Sequence, residues 1–299
     1  MSLVIVGSLA FDTIETPFAR RERIIGGSGI YCSLAASFFT WPGVVGVVGR
    51  DFPKTAMEFL RKRKIGLAGV SVKAGKTFHW EGRYGEDPNE RTTVRTDLNV
   101  FADFHPVLPP AYRSADILYL ANINPELHAP ILEQARGPKL VAMDTIRYWI
   151  ENKTEALFRE LERTDILFAN DEEAKLLAGE TNLVRAGLRL VRSGPSLVVV
   201  KKGEHGVLVF GKGFVFGVPA RPCEIVVDPT GAGDSFAGGF LGHLDRVPKI
   251  TRREFRRATV FGSVIASFAI EDFGIERFKT LSQGEIDDRF REFKNLVSF

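Results

Sequence analysis

Short runs of consecutive apolar residues alternate with amphipathic stretches over most of the chain. LVIV at 3–6 ends at Gly7-Ser8, and GGSGIYCSLAASFF then reads as a small-residue helix capped by Ser28 and ending near Trp41-Pro42. VVGVVG at 44–49 is a second strand, followed by a helix over 53–64 that opens with Pro53 and closes on basic residues. ILYL at 117–120 precedes a helix near 126–136, and KLVAMD at 139–144 precedes one near 147–163. DILFAN at 165–170 precedes another helix, and LVVVK at 197–201 continues the series. Strands this apolar need cover on both faces. The pattern therefore predicts an α/β protein of three layers, a mainly parallel sheet between helices.

Two stretches break the rhythm, 9–25 and about 70–104. The second mixes polar residues with β-formers and carries turn signals at Gly75, Gly85 and Asp87-Pro88. Together they predict antiparallel strands projecting as a small β lid. No repeat or flexible linker occurs, so residues 1–299 read as one domain with these two lid segments inserted.

Composition narrows the classes. The chain has 299 residues, 44% hydrophobic and 26% charged, which is the balance of a globular protein with a large core. A net charge of +3 is too mild to predict a nucleic-acid partner. The arginines at 252, 253, 256 and 257 read as a solvated helix face, with phosphate binding as the alternative. Two distant cysteines, Cys32 and Cys223, make neither a disulfide framework nor a zinc site, so a reducing, cytoplasmic setting is expected. The first residues, MSLVIVGSLAFDTI, carry no basic n-region, and the longest apolar run, VIASFAI at 264–270, is too short to span a membrane. No membrane partner is expected.

Two nucleotide motifs fail. AGKTF at 74–78 resembles the end of a phosphate-binding loop, but Val70 stands where that loop needs glycine. Phe236 occupies the third glycine position of a dinucleotide fingerprint. What remains is DPTGAGDSFAGGF, from Asp228 to Phe240. Gly231, Ala232 and Gly233 let backbone N–H groups converge at the start of a helix, an anion hole suited to a nucleotide's terminal phosphate. A carboxylate beside phosphate needs a reason, and Asp234 reads as the base that takes a proton from an incoming hydroxyl. The other reading is a glycine-rich turn with an aspartate cap.

This stretch resembles the second signature of the ribokinase-like (PfkB) carbohydrate and nucleoside kinases. Other features fall in that family's order: Asp12 after the first strand, the Gly26-Gly27 pair, an N-x-x-E motif at Asn170–Glu173, and Lys202-Gly203-Glu204-His205-Gly206 after a late strand. The resemblance implies a kinase with ATP as donor and Asp234 as base over the 231–233 anion hole. It implies that Asn170 and Glu173 organise Mg²⁺ and phosphates, with a helix start and acidic first turn as the plainer reading. Lys202, Gly203 and Gly206 would contact the nucleotide, or else form a simple turn. Asp228 would help hold a monovalent cation such as K⁺, although Pro229 departs from the commoner threonine.

On the acceptor side the resemblance places Asp12 and Gly27 in a pocket where one carboxylate can accept bonds from two neighbouring hydroxyls; the other reading of Asp12 is a loop aspartate capping a turn. Asn124 and Asp144 fall at the ends of predicted strands, where open α/β sheets bind ligands. Arg83 on the lid would pair with an acidic group of the substrate or else lie on the surface. Arg147 only loosely echoes a D-x-N-x-R motif, because Ile146 replaces the asparagine. The main departure is Tyr31, at a position where relatives usually carry a sugar-gripping asparagine. The expected reaction is phosphorylation of a hydroxyl of a sugar, sugar acid or related polyol. The alternatives are a nucleoside kinase, or a regulator that retained the fold and lost turnover. Exposed lid edges are expected to support a homodimer.

Overall fold

Strands that are apolar on both faces require helices on both sides, and the computed structural model, which describes residues 2–298, has that construction. The chain runs β1 (Leu3–Val6), β2 (Ala10–Glu15), β3 (Arg20–Gly26), α1 (Ser28–Ala36), β4 (Gly43–Gly49), α2 (Lys54–Lys62) and β5 (Gly66–Lys73). It continues through β6 (Phe78–Tyr84), β7 (Arg91–Asp97), β8 (Ile117–Leu120), α3 (His128–Gln134), β9 (Leu140–Asp144), α4 (Arg147–Asn152), α5 (Thr154–Leu161) and β10 (Ile166–Asn170). Then follow α6 (Asp171–Ala178), α7 (Leu183–Arg192), β11 (Leu197–Lys201), β12 (Val207–Gly211) and β13 (Phe214–Val218). Four helices end the chain: α8 (Ala232–Arg246), α9 (Arg252–Ala269), α10 (Glu276–Thr280) and α11 (Gln283–Leu296).

Nine strands form the main sheet in the order β13-β12-β11-β10-β9-β8-β1-β4-β5. All neighbours from β11 to β5 are parallel, and β12 and β13 close one side antiparallel. Helices α3 to α7 pack on one face, and α1, α8 and α9 cover the other. Phe168 of β10 meets Phe240 and Phe236 of α8 edge-on, with centroids 5.3 and 6.2 Å apart. Buried aromatic contacts of this kind, costing about 3–5 kcal/mol when truncated, fix the start of α8 over the sheet.

A second sheet of four strands, β3-β2-β6-β7, forms the lid. Its centre is not antiparallel as expected, because β2 and β6 run parallel. Residues 70–73 also lie outside the lid, since β5 is the edge strand of the main sheet. Two of the expected helices differ from the reading of the sequence. Ser28 is the first helical residue and bonds Ser8, while Gly27 occupies the cap position. Helix α1 stops at Ala36 and gives way to turns before Trp41. The helix expected over 147–163 is two helices, broken at Lys153, whose φ of −139° is not helical.

Candidate active site

The 228–234 loop is held from both ends. Asp228 is fully buried; its Oδ1 accepts the Thr230 N–H at 2.8 Å and its Oδ2 the Gly274 N–H at 2.9 Å. That carboxylate therefore tethers the loop to the turn after α9, with both oxygens engaged by backbone, and the monovalent-cation role rests on resemblance alone. Gly231 sits in the left-handed region (φ 74°) and a side chain there would collide with the ring of Tyr31. Only glycine meets both conditions. Among the described residues the N–H groups of Gly233 and Asp234 have no backbone acceptor, so they and the dipole of the 15-residue α8 face the recess. Ala232 is spoken for, its N–H donating to the Pro229 carbonyl at 3.2 Å. Burial, and next the Asp144 charge, push the Asp234 carboxyl up to about 7.

Asp12 lies on β2, opposite Trp80 of β6, and is 3% exposed. The Tyr31 hydroxyl donates to Asp12 Oδ2 at 3.2 Å. Burial and then the Asp228 charge raise the Asp12 carboxyl to about 7 against that bond. Tyr31 is itself 1% exposed. It spans the gap between Asp12 and the 228–234 loop, hydroxyl on one and ring on the other. Gly27 makes the turn into α1 at φ 99°, a conformation that backs it against Ser8 and Ala10.

The lid presents two chemically different faces. Trp80, Gly82 and Tyr84 alternate on the side toward the loop, and the Tyr84 hydroxyl bonds Thr230 Oγ1 at 3.1 Å. Arg83 falls on the other side, where its Nε donates to Glu15 at 3.0 Å in an exposed pair. The strand's two-residue period thus turns Arg83 away from Asp12 and Trp80. Arg91 at the start of β7 is the lid cation that counts: it lies 5.3 Å from the Trp80 ring, and its charge acts on Asp234 and Glu173. The β6–β7 turn reaches Gly203, where a side chain would collide with Asn89.

At the carboxyl edge of the sheet, Asn170 and Glu173 form a reciprocal cap at the start of α6, each side chain accepting the other's backbone N–H at 2.8 Å. Glu173 is buried, and burial followed by the Asp144 charge raises its carboxyl to about 7. Its Oε1 is left over, a hard oxygen in an acid-rich recess, and so fits a hydrated Mg²⁺. No three His, Cys, Asp or Glu residues among the described residues converge as a ready-made metal site, so phosphate and water would supply most ligands. Gly203 and Gly206 form the turn after β11, both at positive φ, and Lys202 turns back to the His205 carbonyl.

Asp144 is buried, but its carboxylate is engaged by the Thr145 N–H at 2.8 Å and by Lys201 Nζ at 2.6 Å. Asn124 stands apart: its side chain accepts the Glu126 N–H at 3.1 Å and caps a short turn, because Pro125 starts a helical turn there. Lys201, Tyr84, Thr230 and Arg91 escaped the reading of the sequence. For Lys201 a cue existed, since a charged residue closing an otherwise buried strand stands where ligands bind.

A lid over the carboxyl edge of a parallel sheet, with an anion-receiving turn beside buried carboxylates, is the architecture of a ribokinase-like phosphotransferase. A putative ribokinase II from E. coli, solved with ATP and Mg²⁺, superposes with a TM-score of 0.80 at 19% identity, covering 98% of this chain and 100% of that one. The chain belongs to the pfkB family of carbohydrate kinases, whose model matches residues 3–279. It is 33% identical to a cytidine kinase of Thermococcus kodakarensis over 82% of this chain and 89% of the relative. It is 31% identical to a nucleoside kinase of Methanothermobacter thermautotrophicus over 92% and 91% of the two chains. No helix of the described residues is long and apolar enough to cross a membrane.

Proposed function

We propose that this kinase phosphorylates a nucleoside, using ATP with Mg²⁺, in preference to a free sugar or sugar acid. The observation that carries this reading is the register of the lid: Asp12, which can hold a vicinal diol, lies opposite Trp80, an aromatic ring on the same face. A ribose diol and a stacked base need that pairing, and a free sugar does not need the ring. Tyr31, in place of a sugar-gripping asparagine, is buried and acts through Asp12, to whose carboxylate its hydroxyl donates. The long-coverage relatives named above, called cytidine and nucleoside kinases, support the same choice.

In this mechanism Asp12 holds the ribose diol, leaving the 5′-hydroxyl to extend toward Asp234. Asp234 takes its proton as the new P–O bond forms, and the bond from γ-phosphorus to the bridging oxygen breaks with its electron pair leaving on ADP. The N–H groups of Gly233 and Asp234 receive charge from the transferring group, and the lid excludes water. Positioning and electrostatics supply most of the acceleration. Glu173, through its free Oε1, would help hold Mg²⁺, which would supply neutralising charge for the phosphates.

A coupled assay of ADP release with MgATP tests the acceptor class across cytidine, inosine, adenosine, ribose, fructose and 2-keto-3-deoxygluconate. At least one nucleoside should exceed every sugar by about tenfold or more in kcat/KM, the scale of a lost stacking or hydrogen-bonding contact. Fructose or the keto acid at the head of the ranking would refute the nucleoside reading.

A further inference from the structure

The cluster at the carboxyl edge holds a cation that the mechanism above does not use. Lys201 closes β11, in register with Asn170, and its side chain is 16% exposed. Its ammonium donates to Asp144 Oδ2 at 2.6 Å and lies 3.1 Å from where a Cβ on Gly233 would stand. The charge is therefore against the middle of the anion-binding turn, and Gly233 leaves the path between them open. Asp234 and Glu173 also lie within its field. Burial opposes the ammonium, but Asp144 and then Glu173 outweigh that penalty and keep it charged.

A buried ion pair is a weak source of stability, because desolvation offsets most of the attraction. Two neutral side chains of similar size would serve folding as well. The position of this pair points elsewhere. A nucleotide triphosphate brings several negative charges into a recess that already contains Asp144, Glu173 and Asp234. The transferring group needs a cation that can follow its oxygens, and the cations of the lid are exposed while this one is not. Lysine meets that need, because a compact charge with three donors on a flexible stem can bond a carboxylate and a phosphoryl oxygen in turn or together.

We propose that Lys201 is a catalytic residue, whose ammonium shifts from Asp144 onto the oxygens of the phosphoryl group while that group passes from nucleotide to acceptor. Lys201 keeps its proton throughout. The acceptor proton goes to Asp234, and the bond pair from the broken P–O bond leaves on ADP. Asp144 is then the resting partner that holds the ammonium beneath the turn between cycles. The inference rests on phosphoryl transfer at this turn and not on the identity of the acceptor.

The test compares Lys201→Met, Asp144→Asn and the double variant with the wild type. Lys201→Met alone leaves Asp144 buried without its partner and risks misfolding; the double variant is neutral at both positions and keeps the question answerable. ADP affinity is measured by calorimetry with Mg²⁺, with and without aluminium fluoride, a mimic of the group in transfer, and no acceptor is added. This readout survives even if the nucleoside reading fails. Bare ADP should bind all four proteins within about threefold. The gain in affinity on adding aluminium fluoride should fall in the double variant by about 10²–10³ relative to Asp144→Asn, the scale of a lost donor to a developing charge. A double variant that keeps the same gain as Asp144→Asn, with a normal melting curve, would show that the lysine only neutralises its partner and would overturn the proposal.

Discussion

At the scale of single residues, the site depends on side chains whose surroundings dictate their role. Asp234→Asn keeps the size of the side chain in the first turn of α8 but cannot take a proton. ADP binding should persist while kcat falls by about 10²–10⁴, the contribution of a positioned base. Wild-type turnover in the folded variant would remove the base. Tyr31 admits a sharper test, because it serves two neighbours at once. Tyr31→Phe keeps the ring against Gly231 and removes only the donor to Asp12. A hydrogen bond to a carboxylate is worth about 1.5–3 kcal/mol, so acceptor KM should rise roughly ten- to hundredfold with the KM for ATP unchanged. An unchanged acceptor KM, with melting temperature alone reduced, would make Tyr31 a core residue only. The motif made Gly231, Asp234 and Asp12 legible in the sequence, and a departure from the motif marked Tyr31. For Lys201 the one cue was its place at the end of a buried strand; beside Lys202 that cue was faint, because the sequence does not say which of two adjacent lysines points inward.

At the scale of elements, local chemistry and assembly separate. The reciprocal cap of α6 was readable from Asn170-Asp171-Glu172-Glu173, since an asparagine three residues before a glutamate satisfies two helix N–H groups. Asn170→Ala should then cost about 1 kcal/mol of stability as well as any effect on Mg²⁺. A melting temperature identical to wild type would show that the cap adds nothing. Strand existence was equally readable, but partners were not: alternation shows that 78–84 is a strand and does not say that it runs parallel to β2. Nor could it show that 66–73 extends the main sheet, as a half-exposed edge strand carries the same pattern as a lid strand. The lid's link to the loop depends on those partnerships. Tyr84→Phe removes the bond to Thr230, the polar contact between β6 and the anion-binding turn, while the ring stays packed beside Ile14 and Phe273. The lid should open more readily, raising acceptor KM by about two- to tenfold for the loss of one neutral hydrogen bond. Faster hydrogen exchange across β6 and β7 in the ligand-free variant would report the same loosening; unchanged exchange and KM would mean that the bond does not hold the lid.

At the scale of the whole molecule, charge is unevenly spread: a chain of net charge +3 gathers Asp12, Asp144, Glu173, Asp228 and Asp234 around its substrate recess. Three of these, Asp12, Glu173 and Asp234, are raised to about 7 in the folded protein, from 3.8 for the aspartates and 4.5 for the glutamate. Between those limits the native state holds more protons than the unfolded chain, so its stability falls as pH rises. The contribution is complete below the unfolded values and is lost as pH passes through about 7. The ligand-free enzyme should therefore melt at a higher temperature at pH 6 than at pH 8, and Asp234→Asn should flatten that slope by removing one of the three groups. The proposed base role demands the reverse, because Asp234 can accept a proton only when ionised. The acceptor kcat/KM should climb with pH along a limb centred near 7, and that limb should be missing from the residual activity of Asp234→Asn. The ionisation that the proposed base needs is thus the same one that burial opposes, so it costs the resting protein stability as pH rises. A limb centred near 4, with melting temperatures level from pH 6 to 8, would mean that the carboxylates are solvated in solution and that the base is tuned by something other than burial.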